Sequence, residues 1–279
     1  MAIDDGHLIL DEEDHEKLID DYPVATAWVR PYVGGEELLN GTKRWCLWLE
    51  NITPQQLRQM PPVMQRIEYV KKFRSSSGRS TTVELANYPM LFGERRQPKT
   101  SFIAIPKVSS ENRPYMPIAL LRPDIIANGS LLVIPDPHKY AFGVLSSQMH
   151  MAWMRAVAGR LESRYQYSNQ IVYNNFPWPS DPTDKQKQAI EEAAQGVLDA
   201  RAAHPDASLA DLYDPIAMPP DLRKSHQVLD KAVDAAYGKK SFASDAERVA
   251  FLFELYHKYT SLLPAPEKTT KKRRKRVSK

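Results

Sequence analysis

The nineteen residues from Leu161 to Pro179, LESRYQYSNQIVYNNFPWP, constrain the fold of this chain more than any other stretch. They hold three tyrosines (Tyr165, Tyr167, Tyr173) and three asparagines (Asn169, Asn174, Asn175). They close on a Phe176-Pro177-Trp178-Pro179 corner whose two prolines fix the backbone. So many hydrogen-bonding side chains do not suit a buried strand, and so many aromatics do not suit a free linker. The mixture suits an extended surface segment that reads the edges and backbone of a nucleic acid.

Length and charge agree with that reading without proving it. With 279 residues the chain can build one large domain or two modest ones around a real core. Its net charge of +4 conceals a segregation: residues 1–21 carry −8, residues 22–180 carry +9, residues 181–263 carry −4 and residues 264–279 carry +7. The central excess coincides with the unusual segment, as expected of a nucleic-acid binder, although an ordinary solvated surface explains a modest excess equally well. No stretch approaches the roughly 18 uninterrupted apolar residues of a membrane span. The acidic N-terminus lacks the basic-then-apolar order of a signal peptide. The single cysteine, Cys46, cannot form an internal disulfide and reads as a small buried residue of a strand in a reducing cytoplasm.

The order of patterns predicts an α+β fold, with a mixed α/β recognition domain followed by a small helical unit. Residues 1–21, with the like-charge block Asp11-Glu12-Glu13-Asp14, read as a mobile lead-in or linker. The recognition domain is expected over residues 22–179. Trp45 to Leu49, Phe102 to Ile105, Met116 to Leu121 and Leu131 to Ile134 are strand candidates. Thr53-Pro54-Gln55-Gln56 is a helix start, and Val63, Ile67, Val70 and Phe73 mark the apolar face of the helix that follows. A further helix is expected from Ser147 to Ala158, stopped by Gly159. Beyond the hinge at residues 180–184, helices are expected over 184–203, 220–237 and 245–259, forming a C-terminal unit at 180–263. Their apolar faces are marked by Ala193, Val197 and Ala200, by Val228, Leu229, Ala232 and Ala236, and by Val249, Leu252, Phe253 and Tyr256. The tail at 264–279, with Lys271-Lys272-Arg273-Arg274-Lys275-Arg276, is too charged to fold and suits phosphate contact.

Catalytic chemistry is hard to find. The seven histidines are scattered, and His7 and His15 lie near acids but not at metal-ligand spacing. Gly34-Gly35 lacks the spacing of a cofactor-binding turn. The pairs Pro61-Pro62 and Pro219-Pro220 are each preceded by Met and followed by Val or Asp. Among binding candidates, Lys107-Val108-Ser109-Ser110-Glu111-Asn112-Arg113 is a polar loop between two strand candidates. Lys107, Ser109, Ser110, Asn112 and Arg113 can donate to phosphates or base edges, and the alternative is a solvated hairpin. Glu162 and Arg164 share a face if the backbone is extended there. A carboxylate accepts from cytosine N4 and a guanidinium grips guanine O6 and N7, so the two can read one C·G pair. The alternative is a surface salt bridge. Tyr165, Tyr167 and Asn169 are secondary candidates, whereas Tyr173, Phe176, Trp178, Met151 and Trp153 read as packing.

The segment at 161–179, together with FIAIPKVSS at 102–110 and QMHMAW at 148–153, resembles the target-recognition region of MmeI-type DNA methyltransferases. The likeness extends more loosely from about Tyr22 to about Leu263. In that family one chain joins an adenine-N6 methyltransferase core, and often a nuclease, to a DNA-reading domain. The resemblance implies a specificity module that binds duplex DNA and has no cofactor of its own. S-adenosylmethionine would be held by a methyltransferase catalytic domain or subunit, since the glycine-rich turn and the Asn/Asp-Pro-Pro-aromatic motif are missing here. It also strengthens the DNA-reading assignment of the 107–113 loop and of Glu162 and Arg164. The alternative from another class is a protein-interaction or regulatory module without DNA specificity.

Overall fold

The computed structural model describes residues 3–261. Its first element corrects the expectation of a mobile lead-in. Ile9–Leu10 (β1) and Glu12–Asp21 (α1) are followed by Val29–Val33 (β2), Gly35–Asn40 (α2) and Trp45–Leu47 (β3). β1 and β2 flank β3 antiparallel, so the N-terminal segment is a sheet edge. The acids that suggested disorder lie outward and in the first helical turn, where they suit the helix dipole, and Asp11 caps that turn by accepting from the Asp14 N–H at 2.8 Å. The apolar residues between them, Leu8, Leu10 and Leu18, are buried with Val29, Cys46, Leu47, Val63, Ile67 and Val70. A like-charge count missed these three leucines.

Pro54–Arg58 (α3) begins with the expected capping box on Thr53, and Pro61–Ser75 (α4) follows. Three of the four expected core residues of α4 are buried, but Phe73 is 38 % exposed and Arg74 takes the inward place. The helical repeat explains this: eleven residues complete three turns, so position 74 and not 73 returns to the face of Val63. Burial of a guanidinium requires partners. Arg74 donates to the carbonyls of Ile3, Leu85, Tyr88 and Leu91, tying the N-terminus to the turns after Ser80–Glu84 (α5).

Phe102–Pro106 (β4) is buried on both faces and is the centre of a second sheet. Val108–Ser109 (β5), Ala119–Leu121 (β6), Ile126–Ala127 (β7) and Leu131–Pro135 (β8) complete this region, with β6 and β8 antiparallel on either side of β4. The strand expected from Met116 is shorter, although Met116 and Ile118 are buried. β7 runs parallel to β2 and closes the first sheet in the order β1-β3-β2-β7. Alternate side chains of β4 serve two cores: Phe102 and Ala104 meet Leu38 and Leu131, while Ile103 and Ile105 face the helices that follow. Those are Lys139–Leu145 (α6) and Gln148–Val157 (α7), the second capped by Ser147 as expected.

The third sheet carries the segment that opened the sequence analysis. Gly159–Leu161 (β9) and Arg164–Gln166 (β10) form a hairpin, and β10 pairs on its other side with β5. After a wide turn at Asn169–Tyr173 the chain enters Asp184–Ala202 (α8), Leu209–Leu212 (α9), Pro220–Ala236 (α10) and Asp245–Thr260 (α11). All three long helices lie where expected. Val228 and Phe253 are more than two-fifths exposed, and Leu222, His226 and Val233 supply the inward face of α10 instead.

One buried cluster runs from Ile103 and Ile105 through Phe142 and Met154 to Ile190, Leu229 and Leu252. Pro179 therefore marks a change of secondary structure rather than a break in the core. The contact is intimate: a Cβ on Gly143 of α6 would come within 2.7 Å of Ile190 of α8. The basic tail expected at 264–279 lies outside the described residues. If the N-terminal segment belongs to the first core, Leu10→Ala should lower the unfolding free energy by about 2–5 kcal/mol, as for buried leucines generally. Urea titration measures this; a loss below about 0.5 kcal/mol would be that of a surface residue.

Candidate nucleic-acid interface

The β9–β10 hairpin turns on two residues, Glu162 and Ser163. Glu162 has φ +58°, the left-handed conformation that tight hairpins demand. Here the structure corrects the sequence argument, which put Glu162 and Arg164 on one face of a strand. Glu162 sits on the turn and Arg164 on the first residue of β10. The turn nevertheless brings them together, with Arg164 Nη2 donating to Glu162 Oε2 at 2.8 Å, both side chains largely exposed.

More charge gathers at this tip than the sequence argument found. Arg160 Nη1 donates to the Ser163 carbonyl at 2.8 Å, and its guanidinium lies 3.8 Å from the centre of the Tyr165 ring. The Glu111 carboxyl, from the polar loop, is held below the usual carboxylate range by its own backbone N–H, by the Ser163 hydroxyl, and by Arg160 and Arg164. Two guanidiniums and two carboxylates thus share a tip of a few residues. Arg164 and Gln166 are exposed on either side of buried Tyr165, as strand alternation requires. Arg160, Glu111 and Gln166 were missed, though alternation about Tyr165 would have flagged Gln166.

Several expected readers face the wrong way. Ser109 is 3 % exposed because β5 pairs with β10 there, its hydroxyl accepting from Arg113 Nη1 at 3.3 Å. Arg113 itself is half-buried, and desolvation lowers its pKa against the nearby Asp214. Tyr165 is buried beneath Arg160. Tyr167 is buried deeper, its hydroxyl 2.9 Å from His150 Nε2 and its N–H donating to the Lys107 carbonyl at 2.7 Å. These side chains support the surface from below. The packing assignments for Phe176, Met151 and Trp153 agree with their burial, and Trp153 Nε1 donates to the Val172 carbonyl at 3.0 Å.

The remaining candidates border the solvent. Asn112 is exposed and Ser110 half-buried, the Ser110 hydroxyl accepting from the Asn112 N–H at 3.3 Å. Lys107 and Asn169 lie at the base of the hairpin and help line a cleft of about 500 Å³ with Arg96, Gln97 and Asn128. Lys107 Nζ is anchored on the Gly129 carbonyl at 2.8 Å. Gly34, noted above for lacking a cofactor spacing, lies against the Asn128 side chain, which would have to move to admit a Cβ there. Among the described residues no three His, Cys, Asp or Glu side chains are grouped to hold a metal, and no helix is long and apolar enough to cross a membrane.

Residues 1–180 match the MmeI target recognition domain, and residues 182–264 match the MmeI C-terminal domain. The chain belongs to the MmeI family. DNA methyltransferase A of Bacillus subtilis (strain 168) is 38 % identical over 260 residues, which cover 93 % of this chain and 29 % of that protein. The solved structure of the type IIL restriction–modification enzyme MmeI in complex with DNA superposes with a TM-score of 0.89 at 46 % identity, over 94 % of this chain and 35 % of that one. The chain thus spans about a third of the length of these relatives.

The buried underside has a pH signature. Burial pushes the His150 imidazole from 6.5 down to about 3, and His226 moves the same way. In the unfolded chain both take up a proton near pH 6.5, so their contribution to stability is present above that pH and is lost as pH falls toward the folded values. For His150 the loss is on the order of 5 kcal/mol. Asp230, pushed up to about 6 by burial, acts in the opposite sense: its contribution is present below about pH 4 and is lost as pH rises through 6. His150→Gln keeps an acceptor for Tyr167 but cannot titrate. Urea midpoints measured from pH 7 to pH 4 should fall less steeply for this variant than for wild type, and parallel curves would contradict a neutral buried His150.

Proposed function

We propose that this chain is the sequence-specific duplex-DNA reading module of an MmeI-family restriction–modification enzyme, and that the hairpin at 159–166 enters a groove to read bases. The observation that carries this reading is the hairpin's two-sidedness. Its underside is a buried row of Tyr165 and Tyr167, while Glu162 on the two-residue turn and Arg164 and Gln166 on β10 stand exposed. A narrow two-stranded ribbon of this kind fits the major groove, where each base pair presents a distinct pattern of donors and acceptors. The solved relative that contains DNA supports the ligand, and the family matches support the role.

In this reading Glu162 accepts from a cytosine amino group and Arg164 donates to a guanine. Ser110 and Asn112 on the neighbouring loop, with Lys107 and Asn169 at the cleft, contact backbone or base edges. The Glu162–Arg164 salt bridge of the free protein does not oppose this. An exposed pair is worth only about 0–1 kcal/mol, so exchanging it for base contacts costs little. The recognition part would run from the N-terminal sheet edge to residue 179 and the helical part over residues 180–263, both acting in the bacterial cytoplasm where the DNA is. Methyl transfer to adenine N6 would belong to a separate catalytic domain or subunit that binds S-adenosylmethionine, leaving this chain to select the site.

Exchange of donor and acceptor tests the assignment. Glu162→Lys with Arg164→Asp should invert the preferred base pair at a single position, by about 1–3 kcal/mol, in selections from a random duplex library. Arg164→Ala should relax that position alone. Weakening that is uniform across sequences would make Arg164 a phosphate contact, and an unchanged selection would leave the pair a surface salt bridge.

A further inference from the structure

Carboxylates of α10 and α11 grip the recognition region at both ends of α7. At its N-terminus the Gln148 N–H donates to Asp230 Oδ1 at 2.7 Å, and the Gln148 side-chain amide lies 2.9 Å from both carboxylate oxygens of Asp245. The Tyr115 hydroxyl donates to the second Asp230 oxygen at 2.7 Å. Near the other end of α7, Arg155 makes two different bonds. Its Nη1 donates to Asp245 Oδ2 at 2.7 Å and its Nη2 to the carbonyl of Arg113 at 3.1 Å. Arg113 and Tyr115 are where the polar loop at 107–113 ends. That loop begins with β5, which pairs with β10 and so fixes the hairpin that carries Glu162 and Arg164.

We propose that Arg155 is a positioning residue for base reading: by joining Asp245 of α11 to the Arg113 carbonyl, it makes the pose of the recognition hairpin depend on the C-terminal helices. The planar guanidinium suits the task, since one edge meets a carboxylate while another amino group reaches a carbonyl in a different direction. A lysine can keep the charge pair with Asp245 but cannot hold both partners in this geometry. Reading a base by hydrogen bonds tolerates misplacement of only about 0.5 Å, so a loosened loop loses discrimination before it loses attraction to phosphates. The C-terminal helices thereby take part in specificity through a chain of contacts, Asp245 to Arg155 to the Arg113 carbonyl to β5 to β10.

This inference rests on the DNA-reading assignment, and the test separates the two. In the free full chain, hydrogen exchange of amides in residues 108–115 and 159–166 is compared among wild type, Arg155→Met, Arg155→Lys and Asp245→Asn. The same proteins then bind two labelled duplexes: one selected by wild type from a random library, and a scrambled one of equal length. Arg155→Met and Arg155→Lys should speed exchange in both segments and reduce the preference for the selected duplex about tenfold, with scrambled-duplex affinity unchanged. Thermal melting of Arg155→Lys should stay near wild type, which separates loss of position from loss of fold. Unchanged exchange would overturn the positioning role whatever happens with DNA. Faster exchange with undiminished preference, or equal weakening on both duplexes, would overturn the link to specificity. A wild type that selects no sequence would instead refute the DNA-reading assignment and with it the proposed dependence of specificity on Arg155.

Discussion

The candidate reading surface depends on one buried contact, the hydrogen bond between Tyr167 and His150 with the aromatic packing around it. The hairpin has three residues in each strand, too few to be stable alone in water. What holds it is its underside, together with the pairing of β10 with β5. Tyr165 is closed over by Arg160, and Tyr167 reaches His150, which meets the ring of Phe176 edge-on at 4.6 Å. His150 sits in the first turn of α7, so the hairpin is fastened to a helix of the main core. The charged tip can then be exposed without being loose.

Free, that tip satisfies itself. Arg164 is paired with Glu162, and Glu111 lies within the influence of Arg160 and Arg164. Such an arrangement limits non-specific attraction, because each guanidinium that would seize a phosphate has a carboxylate at hand. It also yields easily, because exposed pairs are weak and screened by salt. In the proposed reading, a duplex that offers an acceptor to Arg164 and a donor to Glu162 would replace both partners at once. One that offers the wrong pattern leaves a carboxylate facing an acceptor. The same local neutrality therefore favours discrimination over raw affinity.

Much of the architecture was legible because it is written in local patterns. The helix starts read at Thr53, at Ser147, after the hinge at 180–184 and at 245 are all present, and side chains of Thr53, Ser147, Thr183 and Ser244 cap them. What the sequence hid is what depends on distant partners. The leucines at 8, 10 and 18 are hidden by the acids around them and become core only once β1 finds β3. Tyr165 and Tyr167 look like a reading row, and only the pairing of β10 with β5 turns both inward. Arg113 looks like a free cation and is half-buried between Ser109 and Asp214. Glu162 and Arg164 meet in the salt bridge that the sequence argument left open as the alternative to base reading, and they do so through a turn at a left-handed residue rather than along a strand. Nothing in residues 111 and 160 taken singly marks them; the fold assembles them beside Gln166.

Hydrogen exchange of the full chain with and without a duplex selected from a random library tests the central claim most directly. Protection should appear in residues 159–166 and 107–113, at the hairpin and its neighbouring loop, and α8 and α10 should exchange as in the free protein. Protection confined to other surfaces, with the hairpin amides unchanged, would contradict this account of how the chain reads DNA.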